Sequence, residues 1–337
     1  MKIKLFLFLP LVLICAILLV LSAGGTMGEL PAAARPASAT VLVLGVDAAA
    51  ENSDVVLLCR YESEKKQLTL LQLPRDMYIE GEDDIPKLNH IYAACRANGM
   101  DRQEALSYTA NTLSEAFSFP IDAAACLDLS VFSSLVDAVG GIPIDIPFDM
   151  TYEDEEQGLS ILLKKGRTVL DGSTAEQFVR YRSGYVEGDL GRVDAQKLFL
   201  AAGLHQVLQS MTVTDAVSVF AHHYSRLAFC GEARMLFSVM NELFSERKNL
   251  SVQFLSIPGE AVKAEGTWYY VINRQATCEV IGQFFAPSAA AEPSLFDQNG
   301  RFYNESNTIS NIYFSTDMSY HVYRAEEITD INILKKD

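Results

Sequence analysis

Three short runs of aliphatic and β-branched residues follow one another early in the chain and read TVLVLGVD, SDVVLLCRYES and KKQLTLLQLP. Runs of this length, bounded by polar residues or proline, are typical of β-strands. The polar turn Glu62–Lys65 predicts that the second and third runs pair as a hairpin. Because helical and strand patterns interleave through the rest of the chain, we expect an α/β or α+β domain with helices layered around a central mixed β-sheet.

Helical patterns dominate the segment after these three strands. KLNHIYAACRANG predicts a helix closed by Gly99, and Asp101 with Glu104 makes a capping box for a second helix that runs to about Phe117. LSVFSSLVDAVGG predicts a third helix, because its paired glycines suit the left-handed conformation that follows many helices. IPIDIPF then predicts a strand whose prolines favour a sheet edge over the sheet centre.

A second group of elements follows a turn at Asp171-Gly172. Ala175–Tyr181 is predicted to be a short helix or strand, and a long helix is expected from Asp189 to about Leu208. The pattern remains helical to about Phe244. LSVQFLSIPG and QATCEVIGQFF then predict one more strand and one more helix.

An uncharged, mostly apolar run over residues 5–21 follows Met-Lys-Ile-Lys at the amino terminus. A helix of this length comes close to the hydrocarbon thickness of a membrane, ~30 Å. Lysines on one flank only predict that the short end lies in the cytoplasm and the rest of the chain outside. A single-pass anchor over residues 1–22 is favoured over a cleaved signal sequence, because the run is long and the following LSAGG is a poor cleavage site.

Composition divides the rest of the chain. Residues 23–39 are small, contain Pro and Gly and carry little charge, so they are predicted to link the anchor to the domain. Residues 286–337 accumulate Pro, Ser, Asn and Gln and are predicted to form a poorly specified carboxyl-terminal tail. The folded domain is therefore expected to span residues 40–285.

Acidic residues outnumber basic ones, with 43 Asp and Glu against 27 Lys and Arg and a formal net charge of −16. A surface of this charge repels nucleic acid and anionic lipid head groups. Nucleic acid is therefore not an expected partner, and an anionic substrate must be bound by a local cluster of arginines.

Five of the six cysteines lie outside the apolar run, at wide spacings and without a CxxC motif. An odd number spaced in this way does not indicate a disulfide framework. Most of these cysteines are predicted to be small buried hydrophobic residues, and one disulfide stays an open alternative.

Cationic residues concentrate in two places that are far apart in the sequence. Arg75 follows a strand and a proline, and Asp76 beside it can hold its guanidinium group in place. The second place contains these charged residues: Arg180, Arg182, Asp189 and Arg192. Arg180 and Arg182 share a face only if the chain leaves the preceding element in an extended conformation, which we therefore expect.

Asp189, Arg192 and Gln196 are spaced i, i+3 and i+7, which aligns their side chains on one face of a helix. Several forked guanidinium groups around one site match the oxygens of a pyrophosphate better than lysines do. If Asp54 and Asp189 converge there, their carboxylates can hold Mg²⁺. These residues also have a purely structural interpretation. Arg75 and Asp76 can form a salt bridge at the end of a strand, and Asp189 can be a helix N-cap.

Six ordered blocks resemble the LytR-CpsA-Psr family of bacterial cell-wall proteins: VLVLGVD…NSDVVLL, LTLLQLPRDMYI, KLNHIYAA, LVDAVGGIPIDI, LDGSTAEQFVRYR and GDLGRVDAQKLFL. The resemblance covers about residues 40–285, the expected catalytic domain. It implies a phosphotransferase outside the cytoplasmic membrane that moves a glycopolymer from an undecaprenyl-pyrophosphate carrier to peptidoglycan. Mg²⁺ is the implied cofactor, with Mn²⁺ as a possible substitute, and teichoic acid or capsule attachment is the implied process.

The resemblance also implies roles for individual residues. Asp54 and Asp189 match the positions of metal-linked aspartates in the family. The residues that match its pyrophosphate site are Arg75, Arg180, Arg182, Arg192 and Gln196. Asp54, Arg75, Asp189 and Arg192 are the expected catalytic residues, and helices around residues 87–140 are expected to line an apolar cavity for the polyprenyl chain.

This chain departs from the family pattern at two positions, and each departure removes one cation near the expected phosphate site. The family usually has Arg-Ser-Asp where this chain has Asn52-Ser53-Asp54, and Arg-Gln where it has Ala195-Gln196. Because charge-assisted contacts contribute ~1.5–3 kcal/mol each, these losses weaken phosphate binding. A non-catalytic polyprenyl-pyrophosphate-binding regulator and a pyrophosphatase therefore stay alternatives. The general base is open between Asp54, Asp76 and a substrate-assisted route.

Overall fold

The computed structural model describes most of the predicted domain and one strand beyond it. The described residues are 38–47, 51–79, 86–154, 159–181, 184, 189–223, 226–264, 266–285 and 321–324. Within these ranges no helix is both long and apolar enough to cross a membrane. The predicted anchor over residues 1–22 lies outside the described residues, so it stays a prediction.

Three consecutive antiparallel strands form the first part of the central sheet, as predicted: β1 (Ser38–Val46), β2 (Ser53–Glu62) and β3 (Gln67–Leu73). Val56 pairs with Leu73 and Glu62 with Gln67, so β2 and β3 form the expected hairpin. Both faces of these strands are covered, which explains why their sequences are almost continuously apolar. The start of β2 and the end of β3 therefore lie together at one end of these central strands, which is named the strand edge.

Four further strands complete this sheet: β4 (Ala123–Asp128), β9 (Ala228–Gly231), β10 (Ser251–Ser256) and β13 (His321–Arg324). Their order is β13-β10-β3-β2-β1-β4-β9. The pairs β1·β4 and β10·β3 are parallel, whereas the neighbours β4·β9 and β10·β13 are antiparallel. The central sheet is therefore mixed, as the sequence predicted.

Eight helices occur in the part of the chain that the structure describes. They are α1 (Leu88–Ala97), α2 (Arg102–Phe117), α3 (Leu129–Ala138), α4 (Gly172–Arg180), α5 (Asp189–Ser210), α6 (Val213–His223), α7 (Ala233–Glu246) and α8 (Arg274–Phe284). The predicted capping box of α2 is present, since Asp101 accepts from Glu104 N–H and the Glu104 side chain accepts from Asp101 N–H. Gly140 and Gly141 follow α3 with positive φ, as predicted.

Alternating side chains of the sheet pack into two separate cores. On face A, Val41 and Val43 join buried residues of α3, α4, α5 and α7. On face B, Leu42 and Leu44 join buried residues of α1, α2 and α8. The expectation that the helices between residues 87 and 140 line one apolar cavity is therefore wrong, because the sheet separates α1 and α2 from α3.

In the described ranges, three two-stranded ribbons lie outside the central sheet. They pair β5 (Ile142–Ile146) with β8 (Gly166–Leu170), β6 (Met150–Asp154) with β7 (Leu159–Leu163), and β11 (Gly259–Ala264) with β12 (Thr267–Ile272). The IPIDIPF strand is thus in a ribbon, where neither strand is central.

Two other predictions need correction. The pattern between residues 208 and 244 is not helical throughout, because the short strand β9 lies between α6 and α7. The tail from residue 286 also contributes to the fold, since β13 pairs with β10 at the edge of the central sheet.

Candidate functional site

An ion pair between a buried aspartate and a partly buried arginine lies where β2 begins and β3 ends. Arg75 Nη1 donates to Asp54 Oδ1 at 2.8 Å. Asp54 is the second residue of β2, and Arg75 follows β3 after Pro74, so the hairpin register brings these side chains together. The sequence predicted both residues for one site, and they are in direct contact.

A second pair of charges extends this contact. Arg75 Nε lies 3.5 Å from Asp76 Oδ2, and Lys87 Nζ lies 2.8 Å from Asp76 Oδ1. Asp76 thus contacts two cations, and it contacts the guanidinium group of Arg75 at a different nitrogen from Asp54. The arrangement fixes Arg75 by its two flanking carboxylates, which is the rigid presentation that phosphate recognition requires.

Burial dominates the electrostatics of Asp54, whose residue is only 3% exposed. Loss of solvation raises the pKa of this carboxyl group to about 7, although the charge and hydrogen bond of Arg75 act in the opposite direction. The negative charges of Asp47 and Asp76 add to the rise in pKa. Asp54 Oδ2 is buried without a hydrogen-bond partner. Such an oxygen is suited to receive a proton or a cation.

Asp47 belongs beside this pair, although the sequence analysis did not select it as a site residue. It follows β1, and its backbone N–H donates to Asn52 O at 3.2 Å across the connection to β2. The Asp47 residue is buried, and its charge acts on Asp54. The sequence could have predicted this neighbour. Asp47 directly follows β1 and Asp54 is the second residue of β2, and the end of one antiparallel strand lies beside the start of the next.

The Asp54 carboxylate offers part of a site for Mg²⁺. Its unpartnered oxygen and the nearby charge of Asp47 fit a hard cation, which proteins often hold through one or two carboxylates together with substrate phosphates. Among the described residues no group of three or more His, Cys, Asp or Glu side chains is arranged to hold a metal. Asp189, the other predicted metal ligand, is the first residue of α5, and its side chain lies outside the described residues.

Gln196, on α5, contacts the end of β3 on face A of the sheet. Gln72, on β3, donates from Nε2 to Gln196 Oε1 at 3.2 Å. Gln196 is only 2% exposed, yet its Nε2 and the Oε1 of Gln72 are both buried without partners. Ser53 Oγ, at the start of β2, is a third buried polar atom without a partner. These three atoms are free to form hydrogen bonds with a polar ligand. One of them belongs to Gln72, which is three residues before Arg75 in the sequence.

The other predicted arginines differ in how far the structure describes them. Arg180 ends α4 on face A, where its Nη1 is 2.7 Å from Glu176 Oε1 and its side chain is 10% exposed. Tyr181 then adopts an extended conformation, which is the predicted exit from this element. Arg182 lies outside the described residues. Arg192 is in the first turn of α5, and its side chain also lies outside them.

Two surface cavities are separate from these residues. A cavity of about 450 Å³ lies between the end of α3 and the helices α5 and α6. Another of about 430 Å³ lies between the ribbons β5·β8 and β6·β7 and the start of α4. Neither is lined by Asp54, Arg75 or Gln196, so the candidate site is a cluster at a strand edge.

The sequence matches the model of the LytR_cpsA_psr family over residues 29–284. The chain belongs to the LytR_cpsA_psr family. The family match contains every element of the candidate site, from the end of β1 to α5.

Curated relatives and solved structures extend this finding. The polyisoprenyl-teichoic acid–peptidoglycan teichoic acid transferase TagU of Oceanobacillus iheyensis is 24% identical over 243 residues, which cover 69% of this chain and 71% of that protein. The corresponding transferase TagV of Bacillus subtilis is 31% identical over 152 residues, or 44% of this chain and 37% of TagV. The structure of TagT bound to LIIa-WTA aligns with a TM-score of 0.57 at 23% identity, covering 74% of this chain and 90% of TagT. This structural likeness shows a shared fold.

Proposed function

We propose that this member of the LytR_cpsA_psr family transfers a glycopolymer from an undecaprenyl-pyrophosphate carrier to a hydroxyl group of peptidoglycan. The observation that carries the proposal is the ion pair of partly buried Arg75 with buried Asp54, whose second carboxylate oxygen has no hydrogen-bond partner. The names of TagU and TagV as teichoic acid transferases support the same class of reaction. The reaction is proposed to take place outside the membrane, with the chain anchored by residues 1–22.

The proposed reaction is a displacement at phosphorus. The acceptor hydroxyl oxygen forms a bond to the phosphorus that carries the glycan, and the bond from this phosphorus to the bridging oxygen breaks. The lipid monophosphate leaves with the bonding electron pair, and the hydroxyl proton passes to a base. Positioning and electrostatic stabilisation supply most of the rate in reactions of this kind.

Arg75 is proposed to bind the oxygens of the pyrophosphate. Its orientation is already fixed by Asp54 and Asp76, so little conformational entropy is lost when it binds phosphate. Arg180, Arg182 and Arg192 are proposed to add positive charge to the site, and Gln196 is proposed to donate from Nε2 to a phosphate oxygen. This charge compensates for the negative potential of a chain with a formal net charge of −16.

Mg²⁺ is the proposed cofactor, held by Asp54 with Asp47 and Asp189. A bound divalent cation at these oxygens neutralises charge that develops on the leaving phosphate. Burial raises the pKa of Asp54 to about 7 in the chain without a bound metal. A divalent cation on its free oxygen would lower that pKa, so the hydroxyl proton is proposed to pass to Asp76 or to an oxygen of the substrate.

The test uses the full chain in detergent with a lipid-pyrophosphoryl saccharide, peptidoglycan oligomers and Mg²⁺. Transfer of the saccharide to the oligomer is the expected result. Binding of the lipid without turnover would support a regulator instead, and release of free saccharide phosphate would support a pyrophosphatase.

A variant pair links the activity to the site. Arg75→Ala is expected to lower the transfer rate by more than about tenfold, because a charge-assisted contact contributes ~1.5–3 kcal/mol. Arg167→Ala is the matched control, since Arg167 is an exposed arginine on β8 away from the strand edge. Equal rates for the two variants would remove Arg75 from the mechanism.

A further inference from the structure

The β11–β12 ribbon is joined to the segment that carries Arg75. Tyr270 forms a parallel bridge with Met77. Tyr270 N–H donates to Asp76 O at 2.7 Å, and Tyr78 N–H donates to Tyr270 O at 2.9 Å. Trp268 precedes this bridge by two positions on β12, and Arg75 precedes it by two positions in a turn that Met77 N–H closes on Pro74 O at 3.0 Å.

Side-chain contacts continue from the ion pair into this ribbon. Lys87 Nζ, which binds Asp76 Oδ1, also lies 5.3 Å from the centre of the Tyr269 ring. The Tyr78 and Tyr269 rings make an edge-to-face contact with their centres 5.7 Å apart. These contacts connect Arg75 through Asp76 and Lys87 to the Tyr269 ring, on the face of the ribbon opposite the Trp268 side chain.

Trp268 is the exposed aromatic residue of this ribbon. It is 51% exposed, and Lys263, its cross-strand partner, places Nζ 5.9 Å from the centre of the indole ring. The ribbon is held to the chain that follows β10, because Tyr270 OH donates to Ile257 O at 2.7 Å. A large aromatic ring on a rigid support, with an amine beside it, is therefore presented to solvent on the strand that pairs with residues 76–78.

The ribbon and the proposed donor-binding residues lie on opposite faces of the sheet. Gln196 and Arg180 are on helices of face A, whereas Ile272 of the ribbon is part of the core on face B. Arg75 and Asp54 lie at the strand edge between them. In a displacement at phosphorus the attacking and leaving oxygens are roughly in line, so the two substrates approach the phosphorus from opposite sides.

We infer that the β11–β12 ribbon binds the acceptor saccharide, with the apolar face of one pyranose ring packed on the Trp268 indole ring. The inference rests on the proposed function, because it assigns the second substrate of that site. Lys263 is positioned to donate from its amine to a hydroxyl or carbonyl oxygen of the same sugar. The long glycan acceptor thereby enters along face B, and the lipid-linked donor along face A.

The first test reads binding without catalysis. Trp268 is the only tryptophan in the chain, so the intrinsic tryptophan emission of the full chain reports on this one position. Soluble peptidoglycan oligosaccharides are expected to shift or quench the emission in a saturable way, with Arg75→Ala responding like the wild type. An unchanged emission would overturn the inference. A change produced by the lipid-linked donor alone would overturn it too, because the ribbon would then belong to the donor side.

The second test separates the two substrates in the transfer assay. Trp268→Ala is expected to raise KM for the acceptor about three- to tenfold, with kcat and KM for the donor unchanged, and Trp268→Phe is expected to recover most of the loss. Tyr108→Ala is the matched control, since Tyr108 is equally exposed at 51% but lies on α2. An acceptor KM that is the same in Trp268→Ala and in the control would contradict the inference. If no transfer occurs at all, the proposed function fails while the emission experiment still decides the binding role.

Discussion

Gln72 and Gln196 meet across 124 residues of sequence, with Gln72 Nε2 donating to Gln196 Oε1 at 3.2 Å. Each residue also keeps one buried amide atom without a partner. A buried polar group without a hydrogen bond costs about 1–3 kcal/mol, so this contact reduces stability beside the candidate site. An unfavourable arrangement of this kind is expected where a ligand supplies the missing hydrogen bonds.

Replacing both glutamines by leucine is expected to leave the free energy of unfolding unchanged or to increase it. The double variant removes two unpartnered atoms and fills the same space with apolar groups. Gln196→Leu alone is expected to destabilise by about 1 kcal/mol, because Gln72 then loses its one hydrogen bond to this helix. Urea denaturation of the wild type, Gln72→Leu, Gln196→Leu and the double variant measures both effects. A double variant that loses the sum of the single losses would show that the two amides are satisfied in the native protein.

Asp54 is expected to make stability depend on pH. Its native pKa of about 7 lies above the ordinary value of 3.8, so between these values the native state holds a proton that the unfolded state has released. The contribution to stability is therefore fully present below about pH 4 and is lost as the pH rises through about 7. Asp54→Asn removes this loss and keeps an oxygen acceptor for Arg75.

In metal-free buffer we expect Asp54→Asn to unfold at a higher temperature than the wild type at pH 8, and the difference to shrink at pH 5. Thermal melts in EDTA at both values measure this difference. Asp215→Asn serves as the control, because Asp215 is an exposed aspartate whose hydrogen bonds to Thr212 lower its pKa. A wild type that is more stable than Asp54→Asn at pH 8 would indicate that the Arg75 contact outweighs burial.

The meeting of Asp54 and Arg75 was predictable because it depends on local rules. Two strand-length runs joined by a short polar turn form an antiparallel hairpin, and the outer ends of such a hairpin necessarily coincide. The capping box at Asp101 and the paired glycines at Gly140 and Gly141 were predictable for the same reason.

Features that depend on tertiary contacts were not predictable in the same way. Of the ribbon strands between residues 142 and 170, β5 was predicted but β6, β7 and β8 were not. Leu162 and Val169 are apolar side chains in solvent, so β7 and β8 lack the alternation of apolar and polar residues that identifies a half-buried strand. β9 has four residues and carries no periodicity. The assignment of α1 and α3 to opposite faces follows from the order of strands, which one sequence does not specify.

Arg75→Lys is expected to keep the fold but to lower the transfer rate about tenfold or more. Lysine retains the positive charge beside Asp54 and loses the planar fork, which contacts Asp54 and Asp76 from separate nitrogens. The comparison of kcat and KM for the donor separates the two contributions. A KM that rises while kcat stays constant would mean that Arg75 binds the ground state and the transition state equally.

The two positions where the chain departs from its family are expected to respond in opposite ways. Ala195 is 1% exposed in the core on face A, so Ala195→Arg places a guanidinium group among apolar side chains. We expect it to lose more than about 3 kcal/mol of stability, because a buried charge without a partner is expensive. Asn52 is half-buried next to the strand edge, and its carbonyl makes the backbone contact to Asp47.

Asn52→Arg is therefore expected to fold normally and to bind the lipid pyrophosphate more tightly. Asn52 directly precedes β2, and residues i and i+2 share a side where a chain is extended, so the added guanidinium group is expected near Asp54. Binding of the lipid-linked donor at low and high salt measures the gain, which should decrease as ionic strength rises. Thermal melts check the fold of both variants. A stable Ala195→Arg protein with improved binding would contradict this expectation. It would show that α5 accommodates a cation at residue 195, and that residue 195 is buried in this chain because alanine is small.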